Sequence, residues 1–121
     1  MPLSPRFQAL AADAKARIRE ISAPEASERQ TAEGAILIDV RETEEFAKEH
    51  AQGAVHLSRG VIELKIEELA PDMATPIICY CGGGSRSALA ADSLQRMGYT
   101  NVASMAGGFK AWKAQGLGVS A

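Results

Sequence analysis

The chain has 121 residues, of which 46% are hydrophobic and 23% are charged, and its formal net charge at pH 7 is -2. This length accommodates one domain with one core, and the near-neutral charge lacks the clustered Lys and Arg that binding to nucleic acid or an anionic membrane requires. No stretch is long and apolar enough to cross a bilayer, and charged residues interrupt the segment from Ser4 to Ile21, which excludes a signal-peptide core there and predicts a cytoplasmic protein.

The first predicted element is an amphipathic helix over about residues 5 to 20. Its apolar side chains recur at spacings of three and four, at Phe7, Leu10, Ala11, Ala14, Ile18 and Ile21. We expect this stripe to pack on the domain body, with a dimer contact or a partner surface as the alternative. The predicted organisation is therefore an N-terminal helix over residues 1–20 and a single domain over residues 21–121.

The remainder of the chain alternates between predicted helices and strands. Helices are expected at about residues 23–33, 42–49, 61–69, 86–97 and 109–115, and strands at about 35–40, 54–57, 77–80 and 102–105. Short connections between such elements imply right-handed crossovers. The sequence therefore predicts an α/β fold with a central, mostly parallel sheet of four to five strands and helices on both faces.

A glycine-rich loop, Cys81-Gly82-Gly83-Gly84-Ser85-Arg86, directly follows the predicted strand at 77–80. Functional crevices of parallel sheets lie beyond the carboxyl ends of the strands, where this loop falls. Successive glycines allow several backbone N–H groups to point at one anion, and the following helix adds positive charge at its N-terminus. We therefore expect a depressed pKa for Cys81 and a nucleophilic thiolate that needs no base from His50 or His56.

The second cysteine, Cys79, lies inside an apolar strand, and core packing is its expected role, with a resolving thiol as the alternative. A disulfide between Cys79 and Cys81 would be strained because the two are one residue apart. Two Cys and two distant His do not match a zinc site, and no Gly-Lys-Ser/Thr follows the glycines as in a nucleotide-binding P-loop. No metal and no cofactor are expected.

The segment from Cys81 to Ser87 resembles the active-site loop of single-domain rhodanese-like sulfurtransferases, the proteins built on the rhodanese homology domain. Other segments of that family are matched in order, by Leu37-Ile38-Asp39-Val40-Arg41 with Glu45-Phe46, by residues 50–56, by residues 98–102 and by residues 107–112. The resemblance covers about residues 20 to 117. Glu49 and Ala51-Gln52 depart from the family pattern at a turn away from the loop.

The resemblance implies sulfur transfer through a persulfide on Cys81, from a donor such as thiosulfate to a thiol or cyanide. The N–H groups of Gly82, Gly83, Gly84, Ser85, Arg86 and Ser87 would stabilise the persulfide, as an oxyanion hole stabilises a developing charge. Arg86, and less directly Arg59, would hold the sulfonate end of thiosulfate. Asp39 and Arg41 match the family's strand-end pair and are expected to be structural, as an ion pair or as a brace for the loop, and to take no part in sulfur transfer.

Two other functions remain open at this point. Some phosphatases share the fold and a Cys nucleophile, but they resemble Cys-x5-Arg, whereas four residues separate Cys81 from Arg86. A non-catalytic or regulatory binding module is the other alternative, and such modules typically lack the cysteine. The donor could also be 3-mercaptopyruvate, and a sulfur-accepting protein could be the partner.

Overall fold

The computed structural model describes residues 3–121 of the chain. In chain order, the elements are α1 (Pro5–Lys15), β1 (Arg19–Ile21), α2 (Ala23–Ala32), β2 (Ile36–Asp39), α3 (Thr43–Lys48), β3 (His50–Ala51), β4 (Val55–His56), α4 (Ile62–Leu69), β5 (Ile77–Tyr80), α5 (Ser85–Met97), β6 (Val102–Met105), α6 (Gly108–Ala114) and β7 (Val119–Ser120). The alternation of strands and helices matches the sequence prediction.

A five-stranded sheet in the order β1-β6-β5-β2-β4 forms the centre of the molecule. Every neighbouring pair in it is parallel. The predicted α/β fold with a parallel sheet is confirmed. A separate antiparallel pair, β3 with β7, was not predicted, because strands of two residues leave no periodic signal.

Side chains of the central strands alternate between two apolar cores, one on each face of the sheet. On β5, Ile77 and Cys79 join the core that α4 and α5 cover, and Ile78 and Tyr80 join the core that α2 and α6 cover. Burial on both faces explains why these strands read as continuous apolar runs in the sequence. Helices cover both faces, as expected.

The predicted first helix is too long at its C-terminal end. Helix α1 ends at Lys15, and Arg19–Ile21 form an edge strand whose residues pair with residues 103–105 of β6. Ile18 packs in one core and Ile21 in the other, which a helix could not achieve but an extended segment can. Ile18 and Ile21 are three residues apart, a spacing that also fits one face of a helix, and the sequence therefore predicted a helix there. The division of the chain at residue 20, which falls within β1, stays a prediction.

Helix α1 is attached to α5. Ala11 and Ala14 are buried, and α5 is the element that α1 contacts most. The Arg17 guanidinium donates to both carboxylate oxygens of Asp92, at 3.1 and 2.8 Å, and Gln95 donates to the Arg17 carbonyl at 3.0 Å. These contacts fix α1 along the helix that begins at the Cys81 loop. None of the helices within residues 3–121 is long and apolar enough to cross a membrane.

Candidate active site

Cys81 lies between β5 and α5, at the carboxyl end of the middle strand of the sheet. Its side chain is buried, at 1% exposure. The backbone N–H of Gly84 donates to its sulfur at 3.1 Å and that of Ser87 at 3.4 Å, and the Ser87 hydroxyl lies 3.5 Å away. Of the loop N–H groups expected to point at the sulfur, those of Gly84 and Ser87 donate to it.

These donors change the acidity of the thiol. Burial by itself opposes ionisation of Cys81. Hydrogen bonds from the Ser87 hydroxyl and from the N–H groups of Ser87, Gly84 and Gly83 outweigh this penalty, and the pKa of Cys81 lies below its ordinary value. The loop thus favours the thiolate, which is the form of cysteine that attacks electrophiles.

The shape of the loop depends on glycines at two places. Gly84 has a φ of +112°, a left-handed conformation that leads the chain from the loop into α5, and its N–H donates to the sulfur. Gly108, at the start of α6, has a φ of +55°, and a Cβ there would lie 2.6 Å from the carbonyl carbon of Gly82. Because Gly108 has no side chain, the Phe109 N–H can donate to the Cys81 carbonyl at 2.7 Å. The first turn of α6 thereby fixes the backbone of the loop.

The Ser87 hydroxyl next to the Cys81 sulfur is itself in contact with the hydroxyl of Ser104. The Oγ atoms of Ser87 and Ser104 are 2.8 Å apart, and both side chains are fully buried. Ser104 lies on β6, so the sheet holds the hydroxyl that orients Ser87 against the sulfur. The sequence analysis missed Ser104, although a serine in an otherwise apolar buried strand is a signal that could have found it.

Arg86 lies at the loop, but its guanidinium is occupied. It donates to the two carboxylate oxygens of Glu45, at 2.8 and 3.2 Å. The contact with Glu45 raises the pKa of Arg86, and the same contact lowers the pKa of Glu45. An anion that binds Arg86 must therefore compete with Glu45, a partner that the sequence analysis did not identify.

A cavity of about 410 Å³ opens onto Cys81. It is lined by Leu3, Phe7, Cys81, Gly83, Ser85 and Arg86. The loop residues were expected at the site, but Leu3 and Phe7 were not, because the apolar stripe that includes Phe7 was interpreted as a packing, dimer or partner surface and Leu3 was not part of it. The N-terminal helix thus contributes an apolar part to the lining of the site.

Arg59, predicted as a second sulfonate ligand, does not line this cavity. Its guanidinium donates to Glu63 at 2.8 Å and to the Ser93 hydroxyl at 3.3 Å. The backbone N–H of Arg59 donates to the Val40 carbonyl, which anchors the segment after β4 to the end of β2. In this conformation Arg59 braces α4 and α5.

Asp39 and Arg41 form the expected ion pair, behind the loop. The Arg41 guanidinium donates to both Asp39 oxygens, at distances between 2.8 and 3.1 Å, and to the Glu49 carbonyl at 2.8 Å. The Tyr80 hydroxyl donates to Asp39 at 2.6 Å. Tyr80 is the residue before Cys81, so this network fixes the end of β5 from which the loop begins.

The remaining chemically versatile side chains have other contacts. Cys79 is fully buried in the core, and burial raises its pKa to about 12. His50 and His56 are hydrogen-bonded to the carbonyls of Phe46 and Arg41. Among residues 3–121, no three His, Cys, Asp or Glu side chains converge as metal ligands.

The loop, its position in the sheet and its donors agree with a comparison to known families. A family model described as the rhodanese-like domain matches residues 22–115. The chain belongs to the rhodanese-like domain family. The matched region includes the Cys81 loop, Ser104 and the first turns of α6, but it begins after α1 and β1.

Several known proteins resemble the chain over most of its length. The thiosulfate sulfurtransferase GlpE of Haemophilus influenzae (strain PittEE) is 46% identical over 80 residues, which are 66% of this chain and 74% of the relative. A thiosulfate sulfurtransferase structure from Pseudomonas aeruginosa is 25% identical with a TM-score of 0.84, and the match covers 94% of this chain and 22% of that one. A protein of unknown function from Rhodopseudomonas palustris, described as a possible tyrosine phosphatase, is 26% identical, with a TM-score of 0.86 over 99% of both chains.

Proposed function

We propose that the protein is a thiosulfate sulfurtransferase that carries sulfur as a persulfide on Cys81. The observation that carries this proposal is the hydrogen bonding at the Cys81 sulfur, which accepts from the N–H groups of Gly84 and Ser87 and lies 3.5 Å from the Ser87 hydroxyl. The thiosulfate sulfurtransferases among its relatives support the choice of reaction. No step of the proposed reaction needs a cofactor or a metal.

In the first half-reaction, the Cys81 thiolate attacks the outer sulfur of thiosulfate. The sulfur–sulfur bond of thiosulfate breaks, sulfite leaves with the electron pair, and the outer sulfur stays on Cys81 as a persulfide anion. Backbone N–H groups that point into the loop then stabilise this anion at little reorganisation cost, because their positions are already fixed. Gly83 and Ser85 line the same cavity and would contact the transferred sulfur.

In the second half-reaction, a nucleophilic acceptor attacks the outer sulfur of the persulfide. With cyanide the product is thiocyanate, and with a thiol it is a new persulfide; in each case Cys81 leaves as the thiolate that began the cycle. Because the loop favours the thiolate, it also makes Cys81 a good leaving group. The same donors therefore assist both halves of the cycle.

The sulfonate end of thiosulfate is proposed to bind at Arg86. A carboxylate already holds this guanidinium, so the sulfonate would either displace Glu45 or bind beside the pair with reduced attraction. Binding by Arg59 would require that side chain to leave Glu63 and Ser93. Arg86 is the better-placed ligand of the two because it lines the cavity.

The experiment treats the purified protein with thiosulfate and measures its intact mass. We expect the mass of one sulfur atom to be added to wild type, and cyanide to remove it as thiocyanate. The Cys81→Ser variant should gain no sulfur, and the matched Cys79→Ala variant should gain it as wild type does. Full turnover by Cys81→Ser would refute the proposal.

The phosphatase hypothesis has one observation in its favour: the similar protein from Rhodopseudomonas palustris is described as a possible tyrosine phosphatase. Assaying hydrolysis of p-nitrophenyl phosphate under the same conditions distinguishes the two reactions, and we expect no Cys81-dependent hydrolysis. A regulatory binding module would instead show neither persulfide formation nor hydrolysis.

We further propose a cytoplasmic location, where thiols that accept sulfur stay reduced.

A further inference from the structure

The cavity over Cys81 has a chemically divided lining. Gly83, Ser85 and Arg86 contribute the loop side, whereas Leu3, just before α1, and Phe7, in its first turn, contribute aliphatic and aromatic surface. Thiosulfate and cyanide are small and polar, and neither uses an apolar surface. Leu3 is 48% exposed and Phe7 is partly exposed, so part of this surface remains available to a ligand.

The apolar residues are held in place over the site. The Ser4 hydroxyl accepts from the Phe7 N–H at 3.2 Å, and Gln8 donates to the Leu3 carbonyl at 2.8 Å, which fixes the first turn of α1. Further along, the bonds of Arg17 to Asp92 fix the other end of α1 on α5. The apolar surface therefore belongs to the folded structure of the site.

The charge at the cavity also favours a ligand with an apolar part. Arg86 is the cation of the lining, and its pairing with Glu45 removes much of its attraction for a second anion. Ligand pockets commonly combine a few polar groups that position the reacting atom with an apolar surface that binds the rest of the molecule. Here the loop donors position a sulfur atom, and Leu3 and Phe7 are placed to bind a carbon chain.

We propose that Leu3 and Phe7 form a subsite for the carbon chain of a small organic thiol, the acceptor that removes sulfur from Cys81. The inference rests on the proposed function. The acceptor thiolate attacks the outer sulfur of the persulfide, a new sulfur–sulfur bond to the acceptor forms, and the old bond breaks. Cys81 leaves with the electron pair as a thiolate, and the acceptor becomes an organic persulfide.

The test compares two thiol acceptors that differ only in chain length, with cyanide as a reference acceptor that has no carbon chain to bind. The Cys81 persulfide is prepared with thiosulfate, freed of excess donor and mixed with ethanethiol, 1-butanethiol or cyanide, and the loss of the added sulfur is followed by intact mass. Burial of two more methylenes in this half-open cavity should make 1-butanethiol react about tenfold faster than ethanethiol with wild type. Each thiol rate is divided by the cyanide rate of the same variant, and a Leu3→Ala/Phe7→Ala double variant should bring the ratio of the two thiols close to one.

Leu10→Ala is the matched control, because Leu10 lies on α1, is 55% exposed and does not line the cavity. This variant should keep the tenfold ratio. Equal rates for the two thiols in wild type would overturn the subsite, as would an unchanged ratio in the double variant. Transfer to a protein thiol only, with no reaction of small thiols, would also overturn it.

A second measurement tests the subsite without a persulfide. N-methylmaleimide and N-butylmaleimide alkylate the resting Cys81 thiolate, and the butyl compound should react faster with wild type but not with the double variant. If thiosulfate adds no sulfur to Cys81, the proposed function fails, whereas the maleimide ratio still decides whether the apolar subsite exists. Equal maleimide rates in wild type would contradict the subsite.

Discussion

Removing the Ser87 hydroxyl tests how the loop acidifies Cys81. This hydroxyl lies 3.5 Å from the sulfur, and the backbone donors of Gly84 and Ser87 lie at 3.1 and 3.4 Å. Ser87→Ala removes the hydroxyl and keeps both backbone donors. We expect the pKa of Cys81 to rise, because the burial penalty is then opposed by fewer hydrogen bonds.

The size of the effect follows from the strength of one hydrogen bond to a charged group. Such bonds contribute about 1.5–3 kcal/mol, and a contact as long as this one belongs at the lower end. A loss of about 1.4 kcal/mol lowers the thiolate population about tenfold at a pH below the pKa. Each remaining thiolate becomes about threefold more nucleophilic, because reactivity rises with basicity with a Brønsted coefficient of about 0.4–0.5.

Because the thiolate population falls while the reactivity of each thiolate rises, the plots of alkylation rate against pH for wild type and Ser87→Ala should cross. Below the pKa, iodoacetamide should alkylate Ser87→Ala about threefold more slowly than wild type, and on the high-pH plateau about threefold faster. Alkylation is followed by intact mass, and Cys79 does not interfere because burial raises its pKa to about 12. Ser27→Ala, the same substitution on α2, should leave the profile unchanged.

Superimposable profiles for wild type and Ser87→Ala would show that the backbone donors alone acidify Cys81. Slower alkylation at every pH, plateau included, would mean that the substitution closes the loop instead of changing its electrostatics. The variant also deprives the buried Ser104 hydroxyl of its contact at 2.8 Å. A stability loss of about 1–3 kcal/mol in urea denaturation is expected from that second effect, with the fold retained.

Three further substitutions have defined outcomes. Cys79→Ala should lower the free energy of unfolding by about 1 kcal/mol, comparable to one buried methylene, with sulfur transfer retained; a large loss of rate in a folded variant would indicate a two-thiol mechanism. Asp39→Asn should cost about 3–5 kcal/mol in urea denaturation because it leaves the Arg41 charge buried without its carboxylate, and a loss below 1 kcal/mol would contradict that role. Glu45→Gln should lower the KM for thiosulfate roughly two- to fivefold because it releases Arg86, and the effect should be largest at low salt. An unchanged KM would argue against sulfonate binding at Arg86.

The parts of the fold that sequence predicted are those in which one local pattern has one structural solution. Apolar runs at β2 and β5 predicted buried parallel strands, and Gly98 predicted the end of α5, where it adopts a φ of +113°. The extra residues in the helix predicted over 5–20 arose because a spacing of three fits one helix face as well as two faces of an extended segment. Only the pairing of β1 with β6 resolves that ambiguity, and pairing is a long-range property.

The same distinction applies to the site. Glycines, a cysteine and a helix start are contiguous in sequence, so the Cys81 loop could be identified from the chain alone. Ser104, Leu3 and Phe7 reach the site from positions distant in sequence, on β6, just before α1 and on α1. Spatial convergence, rather than residue type, gives them a role.

Arg86 shows how a correctly located residue can still have an unexpected electrostatic state. The motif predicts a free cation for an anionic donor, but Glu45, which is 41 positions away, neutralises it through two hydrogen bonds. A neighbouring carboxylate can cancel a guanidinium, whereas backbone N–H groups held by a glycine turn and by the first turn of α6 are fixed dipoles pointing at the sulfur. Stabilisation of the proposed persulfide therefore depends on the backbone of the loop first, and the contribution of Arg86 depends on how the donor competes with Glu45.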